Sequence, residues 1–416
     1  MFAAFSTALS ALDANGVAVD VVGNNLANLN STGYKESVAY FRDLVSESLD
    51  AGQTQLGFGV ASPLTIREFT QGAIQASNGT LDAAIQGNGF FVVNNNGATE
   101  FTRAGSFQTD LSGNLLTPTG EQVQGWMASG GAINTGAPIG NITVPVGNLQ
   151  APLATKNITL SANFNAAAAT GSASDWSAPI TVYDSLGNTH VLTLNFQQTA
   201  ANTWSYTATV PGADVTAGTA GTPYDIPNGG GTLTFNSNGQ LTSPAPGSPM
   251  TFAIPGLSDG ASDMSVSWNP YNADGSGAIT QFDQTSATSA TSQDGAAAAQ
   301  LTGVTMSNGG QLLASYSDGQ QTVVGEVALA SIRNPQTLVA VGNNLFQTSA
   351  LTGAPAVGAE GTGGRGTIVG GALESSNVDI AQELTELIVL QSAYQANSKV
   401  VTTVETLAQD TTNLIT

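Results

Sequence analysis

Residues 1–30 read MFAAFSTALSALDANGVAVDVVGNNLANLN. Phe2, Phe5, Leu9, Leu12, Gly16, Val19, Gly23 and Leu26 recur at alternating steps of three and four, the apolar seam of a coiled coil. Ala3, Ala4, Ala8, Ala11, Ala14 and Ala18 keep helix propensity high, and Asp13 and Asp20 lie off the seam. Gly16 and Gly23 oppose the helix by roughly 1 kcal/mol each relative to Ala, yet both fall on the stripe. Either a partner helix approaches closely there, or the helix stays weak until it packs. A second stripe with the same step closes the chain: Ile380, Leu384, Leu387, Leu390, Tyr394, Val401, Val404, Ala408 and Ile415, interrupted by Glu383, Asn397 and Thr411. The spacing predicts two terminal helical segments, 1–30 and 375–416, able to pair as a coiled coil.

Between them lies a different kind of chain. At 416 residues it exceeds what one hydrophobic core serves, so two or three domains are expected. Forty-nine glycines and only 9% charged residues describe a turn-rich, mostly β middle. A net charge of −21 with eight Lys and Arg argues against nucleic acid and against anionic membrane surfaces. With no cysteine, disulfides, thiolate metal sites and Cys nucleophiles are closed. The N-terminus is a poor secretory signal peptide, and no segment reaches the roughly 18 apolar residues of a membrane span.

Residues 31–70 read as an extended linker. From Leu81 the pattern turns to β, with Gly89–Val93 running into the turn Asn94–Gly97 and a return strand Thr99–Arg103. Near Pro152 the composition shifts to Thr, Ser, Ala and Asn. Ile180–Tyr183, the turn Asp184–Asn188 and His190–Phe196 form a hairpin with one apolar face, and Trp204, Tyr206, Ala208 and Val210 alternate as a half-buried strand does. After Ala299 the earlier style resumes. Asp379, with Gln382 three residues on, is a helix N-cap. The expected fold class is α+β multidomain. Its two mainly antiparallel β domains are an inner one at 71–150 and 299–374 and an outer one at 151–298, inserted into the inner. That nesting puts both termini at one end of an elongated subunit.

Asn24, Asn25, Leu26, Ala27 and Asn28, with Asn30, Gly33, Tyr34 and Lys35 after the small-residue heptads, resemble the N-terminal signature of the bacterial flagellar rod and hook axial proteins. Gly57–Val60, Phe69–Gly72, Leu81–Val93, Asn334–Gln336, Gly342–Phe346 and Gly370–Asp379 are similar to further segments of that family. The resemblance implies terminal helices that pack on each other and on neighbouring subunits to line the channel of a tube. Distal rod members are shorter, whereas hook-type members carry an outer β domain that 151–298 looks like. It therefore implies a structural, non-enzymatic subunit of a curved flexible tube, a homopolymer at the flagellar hook outside the cell. Partners implied are rod proteins, the hook cap, hook-length control and hook-filament junction proteins, and the type III flagellar export apparatus. A distal rod subunit or a junction protein is the alternative. Because the seams of a lone subunit would face water, and Gly16 and Gly23 weaken the first helix, the terminal helices are expected to be disordered in the free monomer.

The remaining motifs carry no chemistry. Gly361–Gly366 is a literal G-x-G-x-x-G without the βαβ setting of a dinucleotide site. Gly256–Gly260 matches a G-x-S-x-G nucleophile elbow, but the sole histidine, His190, precedes it, against the order that motif requires. His190 reads as an ordinary strand residue. Asn272, Asp274, Ser276, Gly277, Ile279 and Asp283 take positions of a Ca²⁺ loop, with Asn first and no long Glu last, so a Gly-rich turn is the better reading. No catalytic, cofactor or metal residue is assigned.

Overall fold

The computed structural model describes residues 2–44, 47–48, 55–57, 59–147, 149–171 and 175–413. It is mostly β, with one long helix at each end, and divides into two compact units. The first comprises residues 1–146, 303–315 and 321–416; the second comprises 147–302 and 316–320.

In the first unit, helix α1 (Phe2–Ala27) packs along helix α2 (Ile380–Asn413). Asp379 caps α2 as expected, its Oδ1 accepting from Ala381 N–H at 2.8 Å and Gln382 N–H at 3.2 Å. The stretch expected as a linker is more regular than that. Ser37–Asp43 and Val60–Arg67 pair antiparallel, with an irregularity between Tyr40 and Arg42, and this two-stranded arm lies against α1. Ala18, Val22 and Leu390 form a small core, flanked by Val19, Leu26, Ala39 and Leu387.

The β part of this unit is an antiparallel path of strands Gln321–Val327, Gln122–Ser129, Phe90–Asn95, Ala98–Thr102, Leu345–Gln347 and Val339–Gly342. Phe90, Val92, Phe101, Ala330, Ile332 and Phe346 fill its core, where Phe69 meets Phe90 and Phe346 edge-on at 5.5 and 5.3 Å. Two short pairings join chain segments nearly three hundred residues apart: Ala83–Gln86 with Thr367–Gly370, and Ile74–Ala76 with Ala372–Glu374.

The second unit has two sheets around one core. One orders strands Trp176–Tyr183, Thr189–Ala200, Thr203–Pro211, Pro223–Phe235 and Leu241–Ser243, all antiparallel. In the other, Asn157–Asn165 pairs parallel with both Met264–Trp268 and Ile279–Phe282, and antiparallel with Ala287–Gln293. Alternation does the sorting: on Thr189–Ala200 the buried row is His190, Leu192, Leu194, Phe196 and Gln198. Both sheets contribute to the shared core, in which Phe164, Phe196, Trp204 and Trp268 are fully buried and in ring contact.

Trp268→Ala should therefore cost the second unit about 3–5 kcal/mol, while the transition reported by Trp126 in the first unit stays put. Urea unfolding followed by tryptophan fluorescence measures this; a loss below about 1 kcal/mol would contradict the packing described.

Candidate assembly site

Along most of the expected seam on α1, the residue one place earlier is the one that turns inward. Ala8, Asn15, Ala18, Val22 and Asn25 are buried, whereas Leu9 and Gly23 are exposed and Leu12, Gly16, Val19 and Leu26 half-buried. The inner face of α1 is built of small residues. Phe5, Leu9 and Val17 stay outside. On α2, Leu387, Leu390, Asn397, Val401 and Val404 lie on the inner or half-buried side with Glu383, while Ile380, Leu384, Tyr394 and Ala408 are exposed. Ile415, the Phe2 side chain and Phe58 lie outside the described residues. A Cβ added at Gly16 or Gly23 meets nothing within 4 Å, so within the chain these glycines are not points of close approach. Gly16, Val19, Asp20, Gln391, Tyr394 and Gln395 instead line an open groove of about 340 Å³ between the helices.

Below the helices, the Asn-rich signature closes on itself and on the far end of the chain. Asn24 and Asn28 remain at the surface, bonded to each other at 2.8 Å, and Ala27 and Asn30 are exposed. Asn25 is buried and uses its whole amide. Its Nδ2 donates to Ser37 O at 2.8 Å and Glu383 Oε1 at 2.9 Å, and its Oδ1 accepts from Ser37 N–H at 3.0 Å and Tyr34 O–H at 3.1 Å. Gly33 has φ +68°, and a Cβ there would stand 2.6 Å from Ala104 N, so only glycine fits.

Lys35 completes the junction. Its ammonium donates to Glu374 Oε1 at 2.6 Å and Thr70 O at 2.7 Å. The other oxygen of Glu374 takes Arg103 Nη1 at 3.2 Å, while Gly72 N–H donates to Oε1 at 2.9 Å. Arg103 also bonds Gly87 O at 2.8 Å and lies over the Phe90 ring. All three charged groups are sealed from water. Burial lowers the Lys35 and Arg103 pKa values against the opposing pull of Glu374. Asn377 ties the base of α2 to the same place, accepting from Glu36 N–H and donating to Glu68 O and Thr70 Oγ1. No local pattern marks Glu374 as the partner of Lys35, or brings Arg103 and Asn377 to the same place; their meeting is tertiary.

In the second unit, among the described residues, His190 gathers three carboxylates. His190 Nδ1 faces Asp214 Oδ2 at 3.0 Å, and Nε2 faces Asp184 and Asp259 at 3.3 and 3.4 Å. Among the described residues Asp184, His190 and Asp259 are the one group with metal-ligand spacing, and their contacts are those of an imidazole clamp between loops. His190 is thus buried and paired rather than idle. Ser258, of the G-x-S-x-G match, donates to Ala213 O at 2.8 Å, not to His190. Gly361–Gly366 joins two strands with no helix behind it. The Asn272–Ser276 turn satisfies its own side chains, Asn272 reaching Ser276 Oγ and Asp274 accepting from Ser276.

Burial opposes the imidazolium of His190, but hydrogen bonds to Asp214 and Asp184 outweigh it and raise its pKa above 6.5. For Asp184, burial is overcome by its side-chain interaction with the neighbouring Asp259 and by hydrogen bonds donated by Asn188, which bring it from 3.8 to about 2. The raised imidazole adds stability that is full below 6.5 and fades as pH rises through its folded value. The depressed carboxyl adds stability present above 3.8 and lost on falling toward about 2. The second unit should be most stable between about pH 4 and 6.5, and His190→Gln should flatten the alkaline limb. Thermal melts from pH 2 to 9 check both; equal Tm at pH 5.5 and 8.5 in the unsubstituted chain would refute the clamp.

Four family models match segments of the chain. Residues 5–35 match "Flagella basal body rod protein", 84–163 "Flagellar hook protein FlgE/F/G D1 domain", 148–296 "Flagellar basal body protein FlaE D2 domain", and 369–414 "Flagellar basal body rod FlgEFG protein C-terminal". The chain is 32% identical to the flagellar hook protein FlgE of Borreliella burgdorferi, covering 100% of both chains. It is 31% identical to that of Escherichia coli K12, over 99% of this chain and 100% of the other. Its fold is similar to the crystal structure of Helicobacter pylori flagellar hook protein FlgE2, with TM-score 0.50 and 15% identity over 71% of this chain and 99% of that one. With full-length relatives above 30% identity and hook or rod matches at both ends and in the middle, the chain belongs to the flagellar hook protein family, FlgE.

Proposed function

We propose that the chain self-assembles into the curved, flexible tube of the hook, a universal joint carrying motor torque from rod to filament. As a member of the hook family it is a structural subunit located in the flagellum outside the cell, not an enzyme. The observation that carries the assembly reading is the two-sided character of the terminal helices. Their inner faces satisfy each other, while Phe5, Leu9, Val17, Ile380, Leu384, Ile388, Val389 and Tyr394 remain exposed along the outside. In this reading the seam residues that stay exposed, Phe5, Leu9 and Gly23 on one helix and Ile380, Leu384, Tyr394 and Ala408 on the other, serve contacts between copies, and the coiled coil is completed by neighbours.

The second unit, inserted in sequence between the halves of the first, supplies an outer layer whose polar surfaces exchange contacts as the tube bends. Torque reaches the helices through the Lys35–Glu374–Arg103 junction. By family resemblance the partners are rod proteins below, junction proteins above, the cap and length-control proteins during growth, and the type III apparatus for export. A distal rod subunit is the competing reading, and residues 148–296, matching the FlaE D2 domain, weigh against it.

Under polymerising conditions, negative-stain images should show long curved tubes. Straight rigid tubes would favour the rod reading, and a persistent monomer would remove both. Gly16→Leu, which fills the groove beside Tyr394, should impair tube growth and leave the β units folded. Glu374→Gln strands two buried cations and should cost the first unit about 3–5 kcal/mol, loosening both helices to protease before the second unit melts; equal protease resistance of variant and unsubstituted chain would count against the junction's role.

A further inference from the structure

Where α1, the strand Ser37–Asp43 and α2 meet, Ala18, Val22, Asn25, Glu36, Glu383 and Glu386 line a cavity of about 50 Å³. Its lining carries three carboxylates and no basic side chain. Glu383 is 5% exposed; Oε1 takes the Asn25 amide at 2.9 Å, but Oε2 is buried and has no hydrogen-bond partner among the described residues. Such an oxygen is costly to leave unpaired. Burial and the nearby Glu386 and Glu36 raise the pKa of Glu383, and burial with Glu68, Glu386 and Asp379 raises that of Glu36. The site lacks a donor of positive charge.

The helical layer offers one. Helix α1 has no lysine or arginine, and α2 has a single one, Lys399. It is exposed and makes no ion pair among the described residues. Lys399 cannot reach its own cavity. It stands more than four helical turns beyond Glu383, about 24 Å along the axis and about 160° around it. A second copy, shifted along the helix axis, has no such restriction. The space suits a compact ammonium with three donors better than a planar guanidinium, and the Ala18 and Val22 wall accepts the methylene stem.

We propose that this cavity receives the ammonium of Lys399 from a second copy of the chain, with Glu383, Glu386 and Glu36 as its partners, and that this contact sets the axial register between copies. The inference rests on the self-assembly reading above.

The test uses the full chain and its critical concentration for tube formation, read by sedimentation and electron microscopy, with circular dichroism of each monomer as the fold control. Lys399→Gln, Glu386→Gln and Glu383→Gln should each raise the critical concentration roughly tenfold. The charge swap Glu386→Lys with Lys399→Glu should return it to within about threefold of the unsubstituted chain, although each reversal alone abolishes tubes. Normal assembly of Lys399→Gln, or a swap no better than its single reversals, overturns the contact. If the unsubstituted chain forms no tubes, the self-assembly reading itself fails, and that is seen before any variant is made.

Discussion

The first unit depends on one buried carboxylate. Glu374 binds Lys35 and Arg103 and receives the Gly72 amide, so a single side chain fixes the exit from α1, the return of the arm and an edge of the sheet. Desolvating three charges is expensive, and their attraction repays it only when geometry and hydrogen bonds are complete. An apolar trio of similar volume could hold these segments together equally well. It would tolerate small shifts in how the segments meet, because a displaced apolar side chain loses only part of its contacts, whereas a buried ammonium placed opposite anything but a carboxylate is left unpaired at high cost. A buried ion cluster of this kind favours one arrangement of the strands and helices over a deeper but less selective well.

The second unit solves its problem differently, with a shared apolar core and self-contained turns. Asp110 and Asp184 open two turns of identical construction, one in each unit. In both, Oδ1 accepts from the amides two and four residues on, Oδ2 accepts from the closing asparagine, and a glycine sits at positive φ, +83° at Gly113 and +89° at Gly187. Such turns need no support from neighbours. At Asp184 the same carboxylate also serves the clamp. His190 lies opposite Val182 at the mouth of the hairpin, on the inward row of its strand, and so faces Asp184 and the loops bearing Asp214 and Asp259.

What the sequence made legible were features set by local period and local chemistry. The two terminal helices, the cap at Asp379, the hairpin around Asp184–Asn188 and the Asn-rich signature all depend on residues within a few positions of one another. What it hid were partners chosen by the fold. Lys35 stood out as part of a signature, yet nothing local shows that its partner lies at Glu374, 339 residues away. The inner stripe of α1 was misplaced by one residue for a related reason. Periodicity ranks positions by hydrophobicity, and the large residues Leu9, Leu12 and Val19 outvote Ala8, Ala18 and Asn25. Packing ranks them by how closely two backbones and an arm can approach, and there small residues and a fully bonded amide win.

That displacement by one residue bears on how the chain uses its helices. Had the large residues turned inward, the monomer would have spent its apolar surface on itself, and little would remain to join copies. With alanines, Val22 and Asn25 inside and Leu390 opposite, the pair closes on a core of a few side chains, and Phe5, Leu9, Ile380, Leu384, Ile388, Val389 and Tyr394 remain exposed. A chain with so much apolar helix surface would aggregate without order unless something opposed it, and the net charge of −21 supplies long-range repulsion between copies. Repulsion of that kind penalises every approach alike, so it leaves standing only those arrangements in which long apolar stripes meet over their full length. Strong local attraction against diffuse repulsion selects one extended contact over many short ones, and an extended contact along a helix is what a continuous tube wall requires.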